Sequence, residues 1–193
     1  MKSRFPKSSP WDGRIIITIK ELSAKSGKIY LRIPGWCKKY RFKYNGKTPE
    51  MFNRKDDFIS GDIRAGDKLE LILDMPATLL ESNPLVEETK NQVAVKRGPV
   101  VYCLESADLS HASVSDIMIP ASIKLQPIQM KVDNGNVMAL TGEARLLQGN
   151  NWKNTLYKEV NRTVKPVKIK LIPYYAWANR GKTDMTVWMP LMR

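Results

Sequence analysis

The chain has 193 residues, of which 42% are apolar, enough for one large β domain or two small ones with a real core. Five Trp and seven Tyr exclude a disordered chain. The formal net charge of +13 would suit an anionic partner. However, Lys20, Lys28, Arg32, Lys43, Lys68 and Lys170 each alternate with apolar residues, and the clusters at 38–41 and 165–170 are short and interrupted. That is the pattern of solvated strand faces, and no nucleic-acid partner is expected from charge without a motif.

Strand signals begin at Arg14 to Leu22, with Ile15, Ile17 and Ile19 on one face. Lys28 to Ile33 places Ile29, Leu31 and Ile33 inward, and Tyr30 and Arg32 outward; Tyr40, Phe42 and Tyr44 alternate with Arg41 and Lys43. Period-two alternation marks a half-buried strand. Asn45-Gly46 suits a tight turn with positive φ, and Ala65-Gly66-Asp67 turns the chain into the row Leu69, Leu71, Leu73. Gln92 to Val95 and Val100 to Leu104 flank Arg97-Gly98-Pro99, a bend, bulge or edge. The polar stretch Ser106 to Ser115 is the expected linker. Ser122 to Val132 is broken by Pro127, Asp133-Asn134-Gly135 signals a second hairpin into Val137 to Thr141, and Glu143 to Leu147 is a weaker strand. After the polar Gly149 to Asn154 loop with Trp152, Val167, Ile169 and Leu171 alternate with lysines, and Met185, Val187 and Met189 with Thr186 and Trp188. No segment holds a 3.6-residue period over three turns. The expectation is an all-β chain of two consecutive β-sandwich, jelly-roll-like domains at residues 1–107 and 108–193.

Chemistry-bearing residues are sparse. The sole histidine, His111, falls in the expected linker without a partner to orient it as a base. Cys37 and Cys103 form neither a disulfide framework nor a zinc set and read as small buried thiols, with a single bridge between them left open. Asp56-Asp57 and Glu87-Glu88 read as surface charge, as do Asp12 and Glu81. Glu105, after an apolar strand, is the best acid on offer, though a strand-end surface position is the simpler reading. The segment Pro173 to Gly181 gathers Tyr174, Tyr175 and Trp177 beside Asn179 and Arg180. Aromatic rings stack on sugar faces while Asn and Arg bond hydroxyls. The preferred reading is that these residues close a sandwich end or bury against a neighbouring domain. Asn161-Arg162-Thr163 fits a glycosylation sequon that arises often by chance. Met1 to Pro6 is basic with no apolar run after it, so neither a signal peptide nor a membrane segment is expected.

Several strings are specific. Ser9-Pro10-Trp11-Asp12-Gly13, Leu31-Arg32-Ile33-Pro34-Gly35-Trp36-Cys37 and Tyr44-Asn45-Gly46 resemble the middle region of glycoside hydrolase family 127, the β-L-arabinofuranosidase family. The likeness continues through Ala65 to Leu71, Gln92 to Glu105, Ile172 to Gly181 and Met185 to Met189, and thins between about Leu109 and Val164. This resemblance implies an (α/α)6 catalytic barrel followed by two β-sandwich domains. The barrel would carry the cysteine nucleophile, the zinc and the acid/base glutamate, and this chain would lack it. Neither Cys37 nor Cys103 matches those motifs, so no catalytic residue, cofactor or metal is expected here. The implied role is accessory: packing against and shaping the barrel, and supporting a homodimer, with Trp11, Trp36, Trp177 and Trp188 as anchors. Arabinose-containing plant glycans are the implied ligands of the whole enzyme, which could be secreted or periplasmic. The rivals are a carbohydrate-binding module using Tyr174, Tyr175, Trp177, Asn179 and Arg180, and a basic nucleic-acid-binding β domain.

Overall fold

The computed structural model describes residues 11–110, 112–132, 135–149 and 154–193. His111, Trp152 and the Asp133-Asn134 pair therefore lie outside the described residues, as do Ser9 and Pro10. The chain divides into two compact units, Met1–Pro76 and Ala77–Arg193, and the described residues form strands and short 3-10 turns.

The first unit holds β1 (Arg14–Thr18), β2 (Gly27–Arg32), β3 (Tyr40–Tyr44), β4 (Asn53–Lys55), β5 (Phe58–Ile63) and β6 (Lys68–Leu73). They form two three-stranded sheets, β1-β6-β3 and β2-β5-β4, with antiparallel pairing throughout. Alternation decides the layers: Ile17, Ile59, Ile63, Leu69 and Leu71 are buried, and clusters drawn from both sheets fill the space between them. This is the expected sandwich. Phe52 sits in it edge-on to Phe42, ring centroids 4.9 Å apart, and tilted against Tyr44. The space for that ring comes from Gly61, where an added Cβ would fall 2.7 Å from the Phe52 ring.

The two turns foreseen in this unit prove to be one structure. Asn45 and Gly46 take positive φ (49° and 83°) and Gly66 does too. The buried Asp67 carboxylate accepts hydrogen bonds from Tyr44 Oη (2.6 Å), Asn45 Nδ2 (2.9 Å) and the Arg64 N–H (2.6 Å). Asn45 Oδ1 in turn accepts from the Lys68 N–H. Burial would raise the Asp67 pKa, but the bonds from Tyr44 and Asn45 outweigh it and hold the carboxyl below its usual value. Asn45-Gly46 does not join two long paired strands, since β3 pairs with β6 and the turn closes only the Tyr44–Lys47 bridge.

The second unit contains β7 (Ala77–Leu80), β8 (Gln92–Arg97), β9 (Val100–Glu105), β10 (Ile117–Pro120), β11 (Gln126–Val132), β12 (Gly135–Gln148), β13 (Thr163–Pro173), β14 (Met185–Thr186) and β15 (Met189–Met192). They make one nine-stranded sheet. Each neighbour in the run β9-β13-β12-β10-β15-β8 is hydrogen-bonded, and β8 pairs back to β9, so the sheet closes on itself. The all-β expectation holds, but here the architecture is a closed barrel in place of a second open sandwich. Val95, Tyr102, Leu104, Ile117, Ile119, Leu140, Ile169, Leu171 and Met189 fill its interior. Closure of this kind removes the edges of the six strands in the ring.

The domain boundary lies at Pro76–Ala77, earlier than the expected 107/108. Strands β8 and β9 belong to the barrel through β13, β14 and β15. The expected linker is part of that barrel: Ser106 bonds Thr183 (2.8 Å) and Leu109 is buried in the core. The separate strands read at Val137 to Thr141 and Glu143 to Leu147 are one strand, β12, running unbroken through Gly142. There a Cβ would press on Leu125 at 3.0 Å. Pro127 fits because β11 pairs with β12 alone and its missing donor faces no partner.

Gly61→Ala is expected to cost about 1–3 kcal/mol by overpacking against Phe52. Gly35→Ala, where an added Cβ meets nothing within 4 Å, is expected to stay within about 0.5 kcal/mol. Urea unfolding of the two variants beside the parent chain checks this, and equal midpoints would refute the Phe52 contact as a constraint.

Candidate functional site: an aromatic loop pinned by a buried carboxylate

The run Val100 to Glu105 is apolar on both faces until its last residue, and Tyr102, Cys103, Leu104 and Glu105 are all buried. Two other strands meet it there. β13 pairs alongside through Leu171↔Leu104 and Pro173↔Tyr102, and β14 returns through Met185↔Glu105. The Tyr174 to Arg180 loop leaves one of these strands and comes back as the other, so Glu105 lies at its base.

Glu105 is fully buried. Its Oε1 accepts the Ala178 N–H (3.1 Å) and its Oε2 accepts Arg180 Nε (2.9 Å) as well as Arg180 Nη2. The same guanidinium donates to Asp108 Oδ2 (2.7 Å), and Lys170 Nζ lies 2.9 Å from Asp108 Oδ1. Two acids and two bases thus share one small volume, and every charge has an opposite partner, as buried charges require. Ala178 carries φ +63°, a left-handed conformation a non-glycine residue adopts only when its surroundings impose it. The Glu105 bond to its N–H supplies that imposition.

The loop holds its aromatics outward. Tyr174 and Trp177 lie near-parallel, 13° between planes and 6.3 Å between centroids, while Ala176 beneath them is buried. Tyr174, Tyr175 and Trp177 are 48%, 60% and 41% exposed. The predicted five-residue group is therefore assembled in one loop, but its members divide. The three rings face outward, whereas Asn179 Nδ2 donates to the Ala176 carbonyl (3.2 Å) and Arg180 is spent on Glu105 and Asp108. Among the expected anchors, Trp36 packs on a first-unit core and Trp11 and Trp188 are half-buried.

Glu105 is not the surface strand-end residue the sequence favoured. The signal that marks it was present: an apolar run on both faces implies a strand covered on both sides, so an acid ending that run needs a buried cation. Asp108 falls within the polar stretch that reads as a linker. The exposed Asp56, Asp57, Glu87 and Glu88 match their reading as surface charge.

Neither cysteine has the setting of a nucleophile or a zinc ligand. Burial, with the nearby Glu105 charge, pushes the Cys103 thiol up to about 12. Cys37 donates its thiol to the Lys39 carbonyl at 3.0 Å. Among the described residues no cluster of three or more His, Cys, Asp and Glu side chains could hold a metal ion. No helix among them is long and apolar enough to cross a membrane.

Two outcomes follow for the ion cluster. Glu105→Ala removes one of the two carboxylates on the Arg180 guanidinium and leaves the Ala178 N–H without its acceptor. It is expected to cost about 1–3 kcal/mol, read by urea unfolding, with loss of the Tyr174–Trp177 stacking seen as a changed Trp177 emission. For Asp108, burial raises the pKa, but bonds from Arg180 and Lys170 more than offset this and the net value lies below the usual carboxylate range. The folded state then binds fewer protons than the unfolded one in acid. The stabilisation is present above the unfolded value, about pH 4, and is lost as pH falls through the folded value. Asp108→Asn should lower stability at neutral pH and flatten the acid limb of the stability profile. An unchanged slope below about pH 4 would contradict the assignment.

Comparisons with known proteins follow the same division of the chain. Residues 3–75 match the model of the β-L-arabinofuranosidase GH127 middle domain, and residues 77–190 match that of the glycoside hydrolase family 127 C-terminal domain. A non-reducing end β-L-arabinofuranosidase of Bifidobacterium longum is 32% identical over 192 residues, covering 93% of this chain and 29% of that protein. Among solved structures, one described as a glycoside hydrolase is 43% identical with a TM-score of 0.87, over 99% of this chain and 32% of the other. The GH127 β-L-arabinofuranosidase Ara127N-Se of Geobacillus stearothermophilus T6 is 30% identical with a TM-score of 0.86, over 98% of this chain and 30% of the other. The chain thus spans about a third of the length of these relatives. With two family models meeting at its own domain boundary, the chain belongs to glycoside hydrolase family 127, whose middle and C-terminal domains it comprises.

Proposed function

We propose that this chain is the non-catalytic, accessory portion of a glycoside hydrolase acting on β-L-arabinofuranosides, and that its two β units pack against and support an (α/α)6 catalytic barrel. The observation that carries this reading is the coverage: the middle and C-terminal models account for residues 3–75 and 77–190, while about two thirds of each relative lies outside the match. The chemistry of the chain agrees. Glycosidase catalysis needs two carboxyl groups set about 5–10 Å apart on either side of a sugar. Of the buried carboxylates, Glu105 and Asp108 are instead neutralised by Arg180 and Lys170, and Asp67 is held by Tyr44, Asn45 and the Arg64 N–H.

The aromatic loop is the proposed contact with that barrel. Its rigid backbone and three outward rings suit a domain interface, where amphipathic aromatics carry much of the binding energy. Support of a homodimer through the same apolar surface belongs to this proposal. The second reading, a sugar-stacking module, is favoured by the near-parallel Tyr174 and Trp177 rings. It is weakened by the internal use of Asn179 and Arg180, which leaves the rings without the polar partners that orient a sugar.

The isolated chain is expected to release nitrophenol from p-nitrophenyl β-L-arabinofuranoside no faster than buffer; turnover above that background would sink the accessory reading. Mixed with a separately produced family barrel it should form a complex, which Trp177→Ala weakens by about tenfold or more. Loss of arabinan affinity in the same variant, without loss of barrel binding, would favour the sugar-stacking module.

A further inference from the structure

A second aromatic surface lies on the first unit, far along the chain from the Tyr174 loop. In the sheet β2-β5-β4, Ile29 and Leu31 of β2 and Ile59, Gly61 and Ile63 of β5 face the core. The alternate residues face away, and register aligns them in rows. Lys28 pairs with Asp62; Tyr30, Ser60 and Asn53 form the next row; Arg32, Phe58 and Lys55 form the last. Tyr30 is 61% exposed and Phe58 42%, an unusual use of two large rings on a solvated strand face.

We propose that this outer face binds a polysaccharide bearing carboxylate groups. Tyr30 and Phe58 are diagonal neighbours on adjacent strands, a placement that sets side chains about 7–8 Å apart and offers two platforms to successive units of one extended chain. Lys28 Nζ sits 5.7 Å from the Tyr30 ring centroid and steadies it. Ser60, beside Tyr30, and Asn53, one strand beyond it, supply small polar groups for hydroxyls. Arg32 and Lys55 flank Phe58, and neither forms an ion pair with a described residue. Asp62 stands opposite Lys28 at the other end. Asp56 and Asp57 form the turn that joins Lys55 to Phe58, but neither is ion-paired with Arg32 or Lys55, so the Arg32–Phe58–Lys55 row keeps two cations for a carboxylate.

Size argues for a polymer. Two six-residue strands and one of three residues, about 4.8 Å apart, give a face of at most roughly 10 by 20 Å, well below the approximately 800 Å² per partner of a stable protein interface. A thin extended chain needs no more. The choice of a sugar polymer rests on the glycoside-hydrolase reading above, but its test does not. A chain inactive on arabinofuranosides can still fail to bind a glycan here, and a hydrolytic one can still bind.

The test is titration calorimetry of the whole chain with polygalacturonate at low ionic strength. Binding is expected, weakened about tenfold or more by Tyr30→Ala, weakened also by Phe58→Ala and by Arg32→Ala with Lys55→Ala, and unchanged by Trp177→Ala. Carboxyl-reduced polygalacturonate should bind about tenfold more weakly or worse. Because Tyr30 is exposed, its variant should unfold at the parent temperature, which the same samples report. The proposal is overturned by no heat of binding, by Tyr30→Ala affinity equal to the parent's, by dependence on Trp177, by equal binding of the carboxyl-reduced polymer, or by tighter Tyr30-dependent binding of single-stranded DNA.

Discussion

The pairing of the buried Glu105 carboxylate with Arg180 is the constraint on which the second unit's surface depends. An ionised carboxylate removed from water costs several kcal/mol unless its lone pairs and charge are met, and here they are met by one guanidinium and one backbone N–H drawn from a single loop. That loop has no regular secondary structure beyond a three-residue turn. Its shape is therefore set from beneath, by charge, and the exposed rings inherit their orientation from the backbone that Glu105 and Arg180 hold. Asp108 and Lys170 extend the same logic by tying the turn after β9 to β13.

The two units solve the same problem of β stability in different ways. The first faces two small sheets across a core in which glycine at 61 makes room for an aromatic ring. The second wraps its sheet into a ring, made possible because β8 and β9 diverge and β14 and β15 pair where they part: β14 with the end of β9, β15 with the start of β8. In both, local turn chemistry and side-chain charge do the positioning, as the Asp67 cluster shows in the first unit.

Strand positions were legible in the sequence because period-two alternation at Lys28 to Ile33, Tyr40 to Tyr44 and Lys68 to Leu73 reports directly on which side of a sheet is wet. The family was legible from strings such as Arg97-Gly98-Pro99-Val100-Val101-Tyr102-Cys103-Leu104-Glu105. What could not be read was long-range pairing. The polar composition of Ser106 to Ser115 resembles a linker, yet Ser106 and Asp108 are polar because they bond Thr183 and Arg180, more than seventy residues onward. Barrel closure hid for the same reason, since β10 and β15 are individually short and their parallel pairing leaves no local trace. Of the candidate site, the aromatic cluster was visible in composition, whereas the acid beneath it was disguised by its place at a strand end.

The order in which the barrel's ring is completed has a consequence for how the protein is made. β15, which follows every other described strand of the ring in sequence, is the piece that joins β10 on one side and β8 on the other. On a ribosome, every earlier strand emerges before it. Until Met189 to Met192 arrive, the nascent barrel presents two open edges and an unfilled gap where Met189 belongs. Such edges invite pairing with other chains, and non-local closure is slow. The interval before β15 emerges is thus the period in which this unit is most exposed to misassembly, and chaperone protection would matter there more than at any earlier stage of synthesis.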